Sequence, residues 1–266
     1  MSEAVATAEP VLLTEHHDGV VTLRLNRPQQ FNALSEQLLT ALQQALDELR
    51  DDNTVRCAIL AANGKAFCAG HDLRQMRANP KIDYYRELFA QCSRVMQSIQ
   101  ALPVPVIARV HGIATAAGCQ LVATCDLAIA SESARFAVSG INAGLFCSTP
   151  SVALSRNVTA KRSFDMLVTG RFIDAATAAD WGLINEAVPD DRLDQAIADK
   201  VAQIVAKSPT AIRHGKAMFY RQRQLPLGEA YDFAGEVMAC NMMEEDAGEG
   251  IDAFLEKRSP VWKQSG

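Results

Sequence analysis

PVPVIARVHGIATAAGCQLVATCD, residues 103–126, is the stretch around which the rest of the chain is arranged. Val104, Val106, Ile107 and Val110 form an apolar β-branched run that ends at the His111-Gly112 turn, which predicts a buried strand. Ala114, Thr115, Ala116, Ala117, Gly118 and Cys119 follow, all small, and Gln120, Leu121, Val122 and Ala123 then carry helical character to the Cys125-Asp126 break. Small side chains at a helix start leave the first backbone N–H groups uncovered. Those groups and the positive end of the helix dipole attract developing negative charge. Close packing of the helix start on a sheet would select the same small residues, so both readings stand at this point.

Working outward, Val20 to Asn26 alternates apolar and polar residues as a half-buried strand does. Ser35 is a good N-cap, and Leu38, Leu42, Leu46 and Leu49 recur at helical spacing behind it. Val55 to Ala61 is a second strand, broken by Asn63-Gly64-Lys65. Ala66 to Leu73 (AFCAGHDL) repeats the design of the central stretch: small residues close on a glycine and open into a helix at Leu73, Met76 and Arg77. Tyr84 to Leu102 is a long amphipathic helix that delivers the chain to Pro103. Strands are expected again at 126–131 and 135–138, a loop without clear period at 139–150, and helices from about residue 160 onward. The pattern predicts an α/β core at 1–200 and a helical C-terminal region at 201–266.

The chain has 266 residues, 48% hydrophobic and 21% charged, an ordinary globular make-up able to bury one sizeable core. A net charge of −5 without a dense Lys/Arg cluster argues against nucleic acid as a partner. No apolar run reaches the ~20 residues of a membrane span. Seven cysteines, an odd number with no CxxC pair, read as reduced thiols. The first ten residues, MSEAVATAEP, lack Arg and carry two Glu, unlike a mitochondrial presequence, so a cytoplasmic location is expected.

Phosphate-loop, dinucleotide-binding, nucleophile-elbow and zincin motifs do not occur, and His16, His17, His71, His111 and His214 lack metal-ligand spacing with Cys or carboxylates. No metal site is expected. What stands out is the pair of small-residue bends, each placed between a strand and a helix. If the two helix starts converge, two amides can point at one carbonyl oxygen, and each such donor is typically worth ~10² to 10³ in rate.

At these residues the sequence resembles the crotonase superfamily, the enoyl-CoA hydratase/isomerase proteins. LNRPQQFNAL (25–34), KAFCAGHDL (65–73), PVPVIARVHGIATAAGCQLVATCDLAIAS (103–131), FAVSGINAGL (136–145) and FLEKRSPVW (254–262) match family blocks in order. The pairing of AAGCQL with GLFCSTP is most similar to the enoyl-CoA hydratase domain-containing subgroup. The resemblance implies a spiral of strand-strand-helix turns with a C-terminal trimerisation part, assembled as a homotrimer or hexamer, and a coenzyme A thioester as substrate with no further cofactor. It implies that the His71 and Ala117 amides hold the thioester oxygen, His71 acting through its backbone while its ring points elsewhere. It also implies an acyl-CoA channel lined by Asn26, Ala66, Ala69, His71, Asp72, Leu73, Arg74, Ala117 and Gly118, with Phe254 and Lys257 approaching the CoA of a bound or neighbouring subunit.

The sequence departs from the family pattern where hydratases carry their two catalytic glutamates: these positions hold Gln120 and Gly140. An amide has no acid or base function near neutral pH, and glycine has no side chain. Ser139, Asn142, Cys147 and Ser148 lie in the loop expected to face the pocket, with Cys147 read as a packed thiol. The expectation is an acyl-CoA enzyme that keeps oxyanion stabilisation and has lost the usual acid/base pair. Its alternatives are a non-catalytic acyl-CoA-binding protein and a different acyl-CoA reaction (isomerisation, decarboxylation or thioester cleavage). A further alternative is a proficient hydratase that uses loop residues in place of the two glutamates; a Gln120→Glu, Gly140→Glu double variant that gains hydration, while the wild type binds without turnover, would favour the non-catalytic reading.

Overall fold

The computed structural model describes residues 9–263. An antiparallel hairpin, β1 (Leu12–His17) and β2 (Val20–Leu25), opens the chain. β1 was not anticipated, because Thr14 to His17 is polar and exposed and gives no alternation. Helix α1 (Glu36–Asp51) is capped by Ser35, whose side chain accepts from the Leu38 N–H at 3.2 Å, and it buries Leu38, Leu39, Leu42, Leu46 and Leu49. Each such leucine stabilises by about 1.5–3 kcal/mol relative to exposure.

Three strand-strand-helix turns follow. The first is β3 (Cys57–Ala62), β4 (Ala66–Cys68), α2 (Leu73–Ala78) and α3 (Ile82–Ala101). The second is β5 (Val106–Val110), β6 (Ile113–Thr115) and α4 (Ala117–Thr124). The third is β7 (Leu127–Ser131), β8 (Arg135–Ala137), a 3-10 turn at Ser139–Ala143, and α5 (Ser148–Leu154). The expected loop at 139–150 is therefore partly helical at both ends. Then come α6 (Ala160–Thr169), β9 (Ile173–Asp174), α7 (Ala175–Asp180), β10 (Glu186–Val188) and α8 (Leu193–Val205), and finally α9 (Pro209–Gln222), α10 (Leu227–Met242) and α11 (Glu245–Glu256).

The first strand of each turn joins one sheet, ordered β1-β2-β3-β5-β7-β10 and parallel from β2 onward. The second joins another, ordered β4-β6-β8-β9. Each turn of the spiral thus adds one strand to each sheet, which makes the fold the crotonase α/β spiral. β4 and β6 lie inside what the sequence suggested were plain turns; they are three residues each, too short for alternation to register. Their ends bring the two small-residue bends side by side.

Candidate active site

The first bend is held by the LNRPQQFNAL segment. Leu34 donates to the Gly70 carbonyl at 2.7 Å and accepts from Asp72 N–H at 3.3 Å, while Ala69 N–H donates to the Phe31 carbonyl at 3.0 Å. This bridge uses the peptides on either side of His71 and leaves the His71 N–H without an acceptor among the described residues. Asn32, fully buried at φ +54°, supports the arrangement. Its Nδ2 donates to the Asn63 and Ala66 carbonyls at 2.7 and 2.8 Å, and its Oδ1 accepts from Arg27 N–H at 2.8 Å. Arg27 bonds the Ala33 carbonyl at 2.5 Å and Asp72 at 3.0 Å. The sequence reading missed Arg27 and Asn32, which stand among Asn26, Gln29 and Gln30 in a block where polar residues give no distinguishing signal.

The second bend turns at Ala116, whose φ of 50° and ψ of −121° suit glycine better than alanine. Ala117 opens α4, so its N–H has no carbonyl one turn earlier to bond to, and it has no other acceptor among the described residues. The bends touch. A Cβ placed on Gly70 (φ +93°) would lie 2.8 Å from the Ala116 Cβ and 3.3 Å from the Ala117 nitrogen. A Cβ on Gly118 would lie 2.0 Å from the Cys68 carbonyl oxygen, so only glycine lets the start of α4 approach the end of β4 this closely.

Against the two bends lies a cavity of about 460 Å³. It takes in Ala69, His71 and Leu73 from the first bend, Ala116 and Ala117 from the second, Met76 and Phe89 from α2 and α3, Phe172, and much of the Ser139–Pro150 segment including Gly140, Asn142, Cys147 and Ser148. No aspartate or glutamate is among the described residues lining it. The walls are predominantly apolar, as small-molecule sites are.

Several expected site residues stand elsewhere. Asn26 donates to the Pro10 carbonyl and accepts from Asn63, tying loops at the sheet's end. Ala66 is core, and Gly118 is sealed against Cys68. The Asp72 carboxylate is committed to the start of α2, accepting from Arg74 and Gln75 N–H, and to Arg27; the pairing and these amides hold it below the usual carboxylate range despite partial burial. Arg74 is exposed on α2, and Phe254 (82% exposed) and Lys257 sit at the end of α11; none of the three lines this chain's cavity.

Gln120 is 5% exposed, one turn behind Ala117 and not a lining residue, and its Oε1 has no partner among the described residues. Gly140 does line the cavity, but a Cβ there would fall 2.6 Å from the Leu145 carbonyl oxygen and 2.8 Å from Cys147 Sγ. Chain and sulfur thus occupy the space in which a side chain at 140 would begin. Cys147 accepts from Gly140 N–H at 3.3 Å, and burial pushes its thiol up from the ordinary value. The His71 ring packs edgewise on Phe89, itself a residue of the cavity wall, with centroids 5.5 Å apart. Burial lowers its pKa to about 4, and neither ring nitrogen has a hydrogen-bond partner among the described residues. At neutral pH the site thus offers amide and side-chain hydrogen-bond donors in an apolar setting and no carboxylate among the described lining residues.

A sequence profile described as enoyl-CoA hydratase/isomerase matches residues 15–265. The chain belongs to the enoyl-CoA hydratase/isomerase family. Among curated family members, human enoyl-CoA hydratase domain-containing protein 3, mitochondrial, is 44% identical over 245 residues, covering 92% of this chain and 81% of that protein. The Xenopus laevis protein of the same name is 43% identical over 256 residues, 96% of this chain and 87% of its own. Among solved structures of the family, an enoyl-CoA hydratase of Mycobacterium smegmatis is 61% identical with a TM-score of 0.95, covering 96% of this chain and 99% of that one. Human enoyl-CoA hydratase domain-containing protein 3 superposes at a TM-score of 0.92 with 42% identity, over 95% and 100% of the two chains.

The vertebrate family members are named as mitochondrial, and this overturns the cytoplasmic expectation. Reduced thiols separate oxidising from reducing compartments and say nothing about which reducing compartment a chain occupies. The leader reading rested mostly on residues 1–8, which lie outside the described part.

Proposed function

We propose that this family member binds acyl-CoA thioesters with the carbonyl oxygen between the His71 and Ala117 amides, stabilising a thioester enolate or tetrahedral oxyanion. The observation that carries the reading is the contact between the Gly70 and Ala116–Ala117 bends, which sets two acceptor-free N–H groups beside one apolar cavity. In such a setting a preorganised donor is worth more than in water, because nothing must reorient as charge develops. The chemistry uses the thioester as substrate and calls on no resident cofactor. With Gln120 and Gly140 at the glutamate positions and no carboxylate among the described lining residues, proficient hydration is not part of the proposal; decarboxylation, in which the breaking C–C bond delivers its electron pair to the thioester, depends most on oxyanion stabilisation, whereas isomerisation and thioester cleavage also need a group that moves a proton. The lack of a carboxylate among the described lining residues favours, as a second reading, an acyl-CoA-binding protein without turnover.

Calorimetry with butyryl-CoA and its S-butyl thioether, which lacks the carbonyl oxygen, tests the pair of amides. The thioester is expected to bind ~10-fold or more tighter, the worth of two hydrogen bonds; equal affinities would sink the reading. Turnover of an acyl-CoA panel, followed as enoyl absorbance, free CoA or carbon dioxide, separates enzyme from binder. The proposal extends to a homotrimer or hexamer built on the C-terminal region at 201–266, supported by the exposed apolar side chains Leu227, Tyr231 and Met238 on α10, Met243 just after it, and Phe254 and Leu255 on α11.

A further inference from the structure

A second cavity, of about 410 Å³, lies where α4, α5 and α9 end, and among the described residues it shares no wall with the cavity beside the two bends. Its volume falls within the range of small-molecule sites. Asp126 is its one acidic lining residue among those described, and that carboxylate is spent: one oxygen accepts from Lys216 Nζ and Val106 N–H, the other from the Tyr220 hydroxyl. Two cations on the wall have no such partner. Arg156 and Arg223 are exposed, and neither pairs with a carboxylate among the described residues. Arg156 Nη1 donates to the Val152 carbonyl and Arg223 Nη2 to the Arg156 carbonyl, both at 2.8 Å, and the Arg223 guanidinium lies over the Phe219 ring, 5.4 Å from its centroid. Capping a helix end explains only part of this. Such an end carries about half a negative charge, and Asn157 Nδ2 already donates to the Ala123 and Ala153 carbonyls at the ends of α4 and α5. A guanidinium has further N–H donors beyond the one each carbonyl takes. The surrounding sequence adds to the imbalance, since no Asp or Glu occurs between Lys200 and Gly228 in a chain of net charge −5.

We propose that this second cavity binds a small organic phosphate, its phosphoryl oxygens between Arg156 and Arg223 and its organic part against Phe219 and Tyr220. Guanidinium forks match pairs of phosphate oxygens, and a phosphate monoester brings close to two negative charges for the two arginines. The aromatic pair gives the rest of the molecule an apolar surface to cover. The site stands apart from the thioester reading. Calorimetry of the intact protein with phenyl phosphate as the probe tests it. Saturable binding is expected, tighter than that of inorganic phosphate and weakening as salt is raised. Arg156→Gln and Arg223→Gln are each expected to weaken it about tenfold, and the double variant to abolish it. Arg86→Gln, at an exposed arginine paired with Asp83 on α3, should leave it unchanged. The pair Arg156→Lys, Arg223→Lys keeps both charges and removes the forks, and should bind between the wild type and the double Gln variant. Butyryl-CoA affinity is expected to be the same in the wild type and the double Gln variant. Absence of saturable heat, equal affinity for the two phosphates, or unchanged phenyl phosphate binding in the double Gln variant overturns the proposal. A loss of butyryl-CoA affinity in that variant would make the cavity part of the thioester site and overturns it as well.

Discussion

The carbonyl of Leu145 and the sulfur of Cys147 stand where a side chain on residue 140 would begin. Gly140→Glu is therefore expected to destabilise by about 1–3 kcal/mol, the usual cost of overpacking, and to give no hydration of crotonyl-CoA even when combined with Gln120→Glu. Rates in the double variant approaching those of glutamate-bearing relatives would refute this. His71 gives a second prediction. Its pKa falls from the ordinary 6.5 to about 4 on folding, so between those values the unfolded chain binds more protons than the native one. Stability must then decrease as pH falls from about 6.5 toward 4, by up to roughly 3 kcal/mol. Urea unfolding at pH 7 and pH 5 should show the loss in the wild type and much less of it in His71→Leu. Some slope remains in the variant, since burial also lowers His111.

Helix α4 depends on what its first turn omits. Gly118→Ala drives a methyl into the Cys68 carbonyl, so β4 and α4 must separate and the two bends with them. The variant is expected to unfold at lower denaturant and to lose butyryl-CoA affinity, whereas Ser35→Ala, which removes the α1 cap, costs ~1 kcal/mol and leaves binding intact. Helix α9 depends on a buried polar cluster. Lys216 Nζ donates to the Ile99 and Val104 carbonyls at 2.9 and 2.8 Å and to Asp126 at 2.7 Å, and Tyr220 donates to the other Asp126 oxygen at 2.7 Å. Removing one partner strands a buried charge. Lys216→Met should cost about 3–5 kcal/mol in chemical denaturation, and Lys216→Met with Asp126→Asn should recover part of it. An unchanged midpoint in the single variant would mean that water already reaches the cluster.

At the scale of the whole molecule, Tyr231 and Met238 on α10, Met243 just after it, and Phe254 and Leu255 on α11 are exposed apolar side chains. Light scattering coupled to size exclusion should report three or six copies, and Tyr231→Glu with Met243→Glu should shift the mass toward one. A wild-type monomer at micromolar concentration contradicts the proposed assembly.

Local pattern was enough for α1, α3, β2, β3, β5 and the two bends, because burial on one face imposes a period that short windows of sequence retain. The order of the five blocks was enough for the family. Three-residue strands such as β4 and β6 carry no period, and only pairing across the spiral defines them. That Asn32 clamps the first bend, that Asp72 is spent on Arg27 and α2, that the His71 ring packs beside Phe89, and that position 140 is filled from behind depend on contacts between residues up to 45 positions apart. Sequence fixes which groups are available. Only the packed chain settles which of them keep a free valence facing the cavity.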